Sequence, residues 1–174
     1  RGVWMALILL VLAVPYAVYL IPIWMVEKAW RVDDTYLGLI LPYVALNLPL
    51  AIMIMRGTFR GIPGEIEDAA RIDGANAWQL WWAIMLPLAR SGVATVTIFT
   101  FIEVWGEFMF AVTLMSPPHV TFPVGITFLK EEGSAWAFGT LGATVMISLI
   151  PSLVVFLLLQ RYFVRGLMEG ALRG

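Results

Sequence analysis

Four long apolar segments dominate the chain, and the three stretches between them carry most of its charged residues. The segments lie at about residues 3–26, 35–56, 88–115 and 138–163. Crossing about 30 Å of hydrocarbon takes about 20 apolar residues in an α-helix, so each segment is long enough to span a bilayer. The pattern predicts an all-α membrane protein, a helical bundle with four spans that forms a single domain over residues 1–174.

Prolines inside these segments predict kinked helices. They stand at positions 15, 22, 42, 49 and 151. Neighbouring helices in a membrane bundle can satisfy the backbone groups that a proline leaves free, so the spans tolerate them.

Composition supports a membrane environment and excludes several kinds of site. Hydrophobic residues make up 61% of the chain and charged residues 13%, whereas a soluble domain has about 25% charged residues. There is no cysteine and one histidine, His119, so we expect no disulfide, no catalytic thiol and no metal site. The net charge of −1 gives no reason to expect binding to nucleic acid.

The distribution of lysine and arginine predicts the orientation in the membrane. Four spans place both ends of the chain and the loop 57–87 on one side, and this side has the larger number of basic residues. The positive-inside rule makes that side cytoplasmic, while the outer loop 116–137 faces outward. The two sets are Arg1, Arg56, Arg60, Arg71, Arg90, Arg161, Arg165 and Arg173 inside, against Lys28, Arg31 and Lys130 outside.

The loop 57–87 has the signals of a short surface helix at residues 63–74. Pro63 suits a first helical turn, acidic residues follow it, and Gly74 suits the C-terminal end. A second helix is predicted at Ala77–Met85, ended by Pro87. From the residues alone, the first helix either lies on the lipid surface or docks onto a protein; its acidic residues are poor partners for an anionic leaflet and favour the protein.

The same loop resembles the EAA loop of ABC-importer permeases. Asp68-Ala69-Ala70, Gly74 and Ile84-Met85-Leu86-Pro87 have the spacing of that motif, with Asp68 in place of glutamate. Further stretches resemble maltose/maltodextrin-type carbohydrate permeases. These are TYLGLIL at 35–41, LPLAIMIMRGTFRGIP at 48–63, WGEF at 105–108, FPVGI at 122–126 and QRYFVRGLMEGALRG at 160–174.

The resemblance implies a type I importer fold and a role in transport. It implies six spans in the whole subunit, so we expect the chain to be a fragment that begins between spans. It further implies a permease subunit of an ATP-driven, binding-protein-dependent importer for a sugar or oligosaccharide, in the inner or plasma membrane. The 63–74 helix would couple ATPase closure to alternating access. The implied coupling residues are Glu67, Asp68, Ala69, Ala70, Asp73, Gly74, Ile84, Leu86 and Pro87.

The resemblance also implies the partners. They are a homologous second permease, two ATP-binding subunits and an extracytoplasmic solute-binding protein. The chain has no P-loop pattern G-x-x-x-x-G-K-[ST], so we expect it to hold no cofactor and to be no enzyme, with ATP and Mg²⁺ used by a partner.

Four residues within the spans are candidates for the translocation path: Asn47, Glu103, Trp105 and Glu107. Glu103 and Glu107 lie four residues apart, which predicts one shared helix face. Carboxylates in a membrane face the bundle interior or a water-filled cavity. Either they contact the solute, or they are structural or gating residues, which we favour. For Asn47 we favour helix–helix contact over solute contact.

The sequence is also compatible with other functions. The EAA loop also occurs in permeases for other solute classes. An ion-coupled secondary transporter is a further candidate, although the chain shows no internal repeat. A membrane enzyme would use Glu103 and Glu107 as an acid–base pair. The C-terminal residues 166–174 are either a frayed tail or, as the resemblance implies, an extension toward the ATPase.

Overall fold

The computed structural model describes the backbone of residues 2–129 and 135–171, and the side chains of residues 2–129 and 139–162. In this part of the chain all regular structure is helical. The α-helices are α1 Gly2–Ala13, α2 Leu20–Trp30, α3 Tyr36–Arg60, α4 Gly64–Ile72, α5 Ala77–Gln79, α6 Leu86–Leu88, α7 Arg90–Gly106, α8 Met109–Leu114, α9 Phe122–Phe128 and α10 Ala135–Ala171, with a 3₁₀ turn at Tyr16–Tyr19 and a π-helical segment at Leu80–Met85.

Two helices are long and apolar enough to cross a membrane, judged by length and composition over the described residues. They are α3, and Gly139–Tyr162 within α10. Two bent pairs, Gly2–Ala13 with Tyr16–Trp30 and Ala77–Leu88 with Arg90–Gly106, raise the number to four if each pair is one span. The predicted all-helical membrane fold is therefore confirmed. The single domain stays a prediction, because the chain divides into two compact units.

The first predicted span is not one straight helix. α1 and the segment after it are bent by 93°, and the bend lies at Pro15, which has extended backbone angles of φ −55° and ψ 128°. Proline has no N–H to continue the helical hydrogen bonds and disfavours the helical conformation in the residue before it. Pro42, Pro49 and Pro151 lie inside continuous helices instead.

The third predicted span is also interrupted. α7 ends at Gly106 and α8 begins at Met109, so Glu103 is helical and Glu107 lies in the break between the helices. The prediction that Glu103 and Glu107 share a face of one helix is wrong. Glycine is a poor helix former, and the Glu107 carboxylate accepts hydrogen bonds from backbone N–H groups of the next helix, which stabilises a break at this point.

One unit is drawn from residues Arg1–Pro49 and Thr100–Val154. Its core forms around Phe110, which is fully buried. Leu39 and Tyr43 of α3, Leu114 of α8 and Val124 of α9 belong to the same cluster. The predicted outer loop 116–137 therefore contains a short helix, α9, that contributes to this core; residues 130–134 of the loop lie outside the described residues.

Asp34 forms hydrogen bonds between two parts of this unit that are far apart in the sequence. It has a left-handed backbone, with φ of 56°. Its Oδ1 accepts a hydrogen bond of 2.7 Å from the Ser116 backbone N–H, and its own N–H donates to the Leu114 carbonyl at 3.3 Å. Next to it, the Lys28 ammonium donates to Asp33 at 2.6 Å, and this hydrogen bond holds the pKa of the Asp33 carboxyl below its ordinary value.

The other unit is drawn from Leu50–Phe99 and Val155–Gly174. Here α3 and α7 approach closely at Thr58 and Gly92: a Cβ atom built on Gly92 would lie 2.8 Å from both the Cβ and the Cγ2 of Thr58. The Phe59 and Trp81 rings pack with centroids 5.4 Å apart. Only a residue without a side chain permits this approach of α7.

Candidate functional site

The predicted coupling helix is present as α4, two residues shorter at its C-terminal end and one at its N-terminal end than the predicted 63–74. Pro63 is the N-cap residue, and Glu65 and Glu67 lie in the first turn, where the helix dipole favours anions. Gly74 ends the helix with φ of +84°. The Gly74 N–H donates to the Arg71 carbonyl at 3.1 Å and the Ala75 N–H to the Ala70 carbonyl at 3.0 Å, which is a Schellman motif.

The exposed face of α4 is acidic with one large apolar residue. Asp68, Ala69 and Asp73 are exposed, and Ile72 is 85% exposed. Glu67 is held by Arg71 at 2.7 Å, one helical turn away. Ala70 is buried against its own chain, so of the two predicted alanines only Ala69 is open to the backbone of another protein.

The second half of the loop is a continuous helix that Pro87 does not end. It begins at a capping box in which Asn76 Oδ1 accepts from the Gln79 N–H at 2.9 Å and the Gln79 side chain accepts from the Asn76 N–H at 2.9 Å. A π-helical segment then leads directly into α6, which contains Pro87. The helix ends at Ala89 instead, where the chain bends by 69° into α7.

The predicted motif residues Ile84 and Leu86 lie in this helix and are partly buried, whereas Pro87 is exposed. Before them, exposed tryptophans line the helix. Trp78 and Trp82 make an edge contact with ring centroids 5.5 Å apart. Exposed tryptophans are typical of membrane–water interfaces, which agrees with a loop at the bilayer surface.

Three candidate residues of the translocation path line one cavity of about 330 Å³ in the first unit. Asn47, Glu103 and Glu107 line it together with Tyr16 and Tyr43. The remaining lining residues are Leu46, Val104, Gly106, Phe108, Met109 and Phe110.

Glu107 has a structural role at this cavity, because its carboxylate accepts three hydrogen bonds. The Tyr43 hydroxyl donates at 2.6 Å, the Phe110 N–H at 2.8 Å and the Ala111 N–H at 3.1 Å. The two N–H groups belong to the first turn of α8, which has no intrahelical acceptor for them. Glu107 thus caps α8 and joins it to α3.

The chain belongs to the binding-protein-dependent transport system inner membrane component family. The model of this family matches residues 1–169, which confirms the resemblance seen in the EAA loop. Membership places the protein among inner-membrane components of transport systems that work with a binding protein.

Two relatives illustrate the solutes named for this family. The trehalose transport system permease protein SugB of Mycobacterium tuberculosis is 36% identical over 168 residues, covering 95% of this chain and 61% of SugB. The arabinooligosaccharides transport system permease protein AraQ of Halalkalibacterium halodurans is 31% identical over 176 residues, covering the whole chain and 62% of AraQ. The chain therefore spans about three fifths of the length of these curated relatives.

A solved structure shows the same fold. It is a bacterial ABC transporter involved in the import of the acidic polysaccharide alginate, with a TM-score of 0.72 and 24% identity over 92% of this chain and 61% of the other. The fold class predicted from the EAA resemblance, that of an ABC importer permease, is confirmed.

Two of the candidates for the translocation path, Trp105 and Asn47, make contacts that differ from those expected. Trp105 does not line the cavity: its ring stacks between Phe101 and Phe122, and its Nε1–H donates to the Ser148 carbonyl at 2.9 Å. Asn47 is buried, and its Nδ2 donates to the Tyr43 carbonyl at 2.9 Å within α3, so this bond lies within one helix and joins no second helix.

Two tyrosines, Tyr16 and Tyr43, line the cavity although neither was predicted as a site residue. Tyr43 lies four residues before Asn47, so both fall on one face of a helix, and this spacing was the available signal for Tyr43. Tyr16 had no such signal, because its position depends on the bend at Pro15. Among the described residues, no group of three or more histidines or carboxylates is arranged to hold a metal ion.

Proposed function

We propose that the protein is a permease subunit of an ATP-driven, binding-protein-dependent importer for a sugar or oligosaccharide. The observation that carries this proposal is the family match over residues 1–169. The names of its relatives favour a saccharide, since the two described above are named for trehalose and for arabinooligosaccharides.

The α4 helix is the part that docks onto the ATP-hydrolysing partner. This docking role is supported by the exposed face of α4, a short helix with defined ends. The face carries Asp68, Ala69, Ile72 and Asp73. A rigid helix transmits the movement of the ATPase groove that holds it better than a flexible loop does, and the Schellman motif at Gly74 fixes the C-terminal end of α4. A non-obligate interface is, taken as a whole, no more apolar than the rest of a protein surface, so a face with both charged and apolar residues suits such an interface.

The saccharide passes along the cavity beside Glu103. Tyr16, Asn47 and Glu103 offer aromatic and polar groups there, and such groups bind hydroxyl-rich solutes. Glu107 holds the shape of the cavity through its three hydrogen bonds.

The assembly that this function requires is larger than one chain. It includes a homologous second permease, two ATP-binding subunits and an extracytoplasmic solute-binding protein. The ATP-binding subunits use ATP and Mg²⁺, and this chain binds no cofactor. The loop 57–87 and the C-terminus are cytoplasmic, which agrees with the excess of basic residues on that side.

Uptake by the complete importer in proteoliposomes tests the proposal. We expect saccharide uptake that requires ATP, the ATP-binding subunits and the binding protein, with none from this chain alone. A variant ATPase that binds but does not hydrolyse ATP is the matched control. Uptake that survives loss of the ATPase and collapses with the ion gradient would replace this function with that of a secondary transporter.

A further inference from the structure

The cavity in the first unit is acidic and has no basic counterpart. Glu103 and Glu107 both line it, and none of the described residues that line it is Lys, Arg or His. The ion pairs found among the described residues, Lys28–Asp33 and Glu67–Arg71, involve no residue of the lining. The cavity therefore presents carboxylates without a compensating cation.

The two carboxylates differ in what they can offer a solute. Glu107 already accepts hydrogen bonds from Tyr43, Phe110 and Ala111. Glu103 is exposed, and no hydrogen bond or ion pair to its side chain is found among the described residues. Glu103 is thus the carboxylate whose oxygens are available to a bound molecule.

A cavity lined by carboxylates discriminates by charge. A carboxylate accepts hydrogen bonds from sugar hydroxyls, and such charge-assisted bonds are stronger than neutral ones. A carboxylate, phosphate or sulfonate on the solute would instead face a like charge, which is more costly inside a membrane protein than in water. A cavity of about 330 Å³ lies at the lower end of the size range of small-molecule sites and fits about one sugar unit.

We propose that this cavity selects uncharged saccharides and rejects anionic ones, with Glu103 as the residue that determines this specificity. This inference rests on the proposed function and narrows its substrate class. Some members of the family carry anionic solutes by name, such as the sn-glycerol-3-phosphate permease UgpE of Yersinia pestis, so membership alone does not decide the charge of the solute.

The test uses the complete membrane complex in lipid nanodiscs and two probes. One is a neutral disaccharide that the importer takes up in proteoliposomes. The other is its uronic acid counterpart, in which one CH₂OH group is oxidised to a carboxylate. Equilibrium binding of both is measured at up to millimolar concentration without the binding protein, so that the selectivity of the binding protein does not enter.

We expect the wild-type complex to bind the neutral probe at least about tenfold more tightly than the uronate, and Glu103→Gln to reduce this ratio at least about tenfold. Glu103→Lys should invert the preference. Asp33→Asn is the matched control, because it removes a carboxylate that lies outside the cavity lining, and it should leave the ratio unchanged.

The outcomes separate the inference from the function on which it rests. No uptake of any saccharide by the complete importer would remove the proposed function. Uptake with equal binding of both probes, an unchanged ratio in Glu103→Gln, or no binding of either probe to the nanodisc complex would overturn the inference and leave the function standing. Uptake of an anionic saccharide as the preferred solute would also overturn it.

Discussion

Replacing Glu107 with alanine is expected to lower the free energy of unfolding by about 3–9 kcal/mol and to abolish uptake. The change leaves the Tyr43 hydroxyl and the N–H groups of Phe110 and Ala111 without their acceptor. Each buried polar group left unpaired costs about 1–3 kcal/mol, and Phe110 and Ala111 are fully buried. The measurement is thermal unfolding of the purified complex in detergent, with uptake in proteoliposomes.

Two milder variants separate the contributions at Glu107. Tyr43→Phe removes one of the three hydrogen bonds and should cost about 1 kcal/mol. Glu107→Gln keeps one carbonyl oxygen as an acceptor and should fall between Tyr43→Phe and Glu107→Ala. If Glu107→Ala unfolded at the wild-type temperature, the role of Glu107 as the cap that joins α8 to α3 would be wrong.

Gly92→Val is expected to prevent correct packing of α7 on α3, and Gly92→Ala to destabilise it by about 1–3 kcal/mol. A Cβ atom at Gly92 would meet the Thr58 side chain, including its Cβ and Cγ2 at 2.8 Å. The Thr58 hydroxyl donates to the Ile54 carbonyl at 3.0 Å, so Thr58 cannot move away without losing this bond. Thermal unfolding and the yield of the folded complex measure the effect.

Gly57→Ala is the matched control for Gly92. Gly57 lies beside Thr58 in α3, and a Cβ atom there meets nothing within 4 Å, so alanine should be neutral or stabilise the helix by up to about 1 kcal/mol. Adding Thr58→Ala to Gly92→Ala should recover part of the lost stability, because it removes the hydroxyl and the methyl group. Equal effects of Gly57→Ala and Gly92→Ala would contradict the close helix approach.

The local signals of the loop 57–87 were readable from the sequence. Pro63, Gly74 and the acidic first turn predicted α4 because capping chemistry acts over a few residues. The spans in α3 and α10 were also readable, because a membrane span is recognised by the length and composition of one continuous segment.

Features that depend on competition between local and distant contacts were not readable. The break after Gly106 required knowing that the Glu107 carboxylate is held in place by Tyr43, which is 64 residues away. Pro15 and Pro87 have the same chemistry, yet one bends the chain and the other follows a π-helical segment inside a helix. Whether the Ala70 side chain is buried or exposed depends on how α4 packs against the rest of the chain. The spacing of residues in the sequence does not reveal this packing.

Disulfide cross-linking tests whether α4 docks onto the ATP-binding subunit, and it is well suited to this chain because the chain has no cysteine of its own. Single cysteines at the exposed Ala69 and Ile72 are combined with cysteines along the groove of the ATPase in the assembled importer, with and without ATP. Docking predicts position-specific cross-links that change with nucleotide, and none from a cysteine at the buried Ala70. No cross-link from Ala69 or Ile72 in a complex that transports would contradict it and return α4 to the lipid surface.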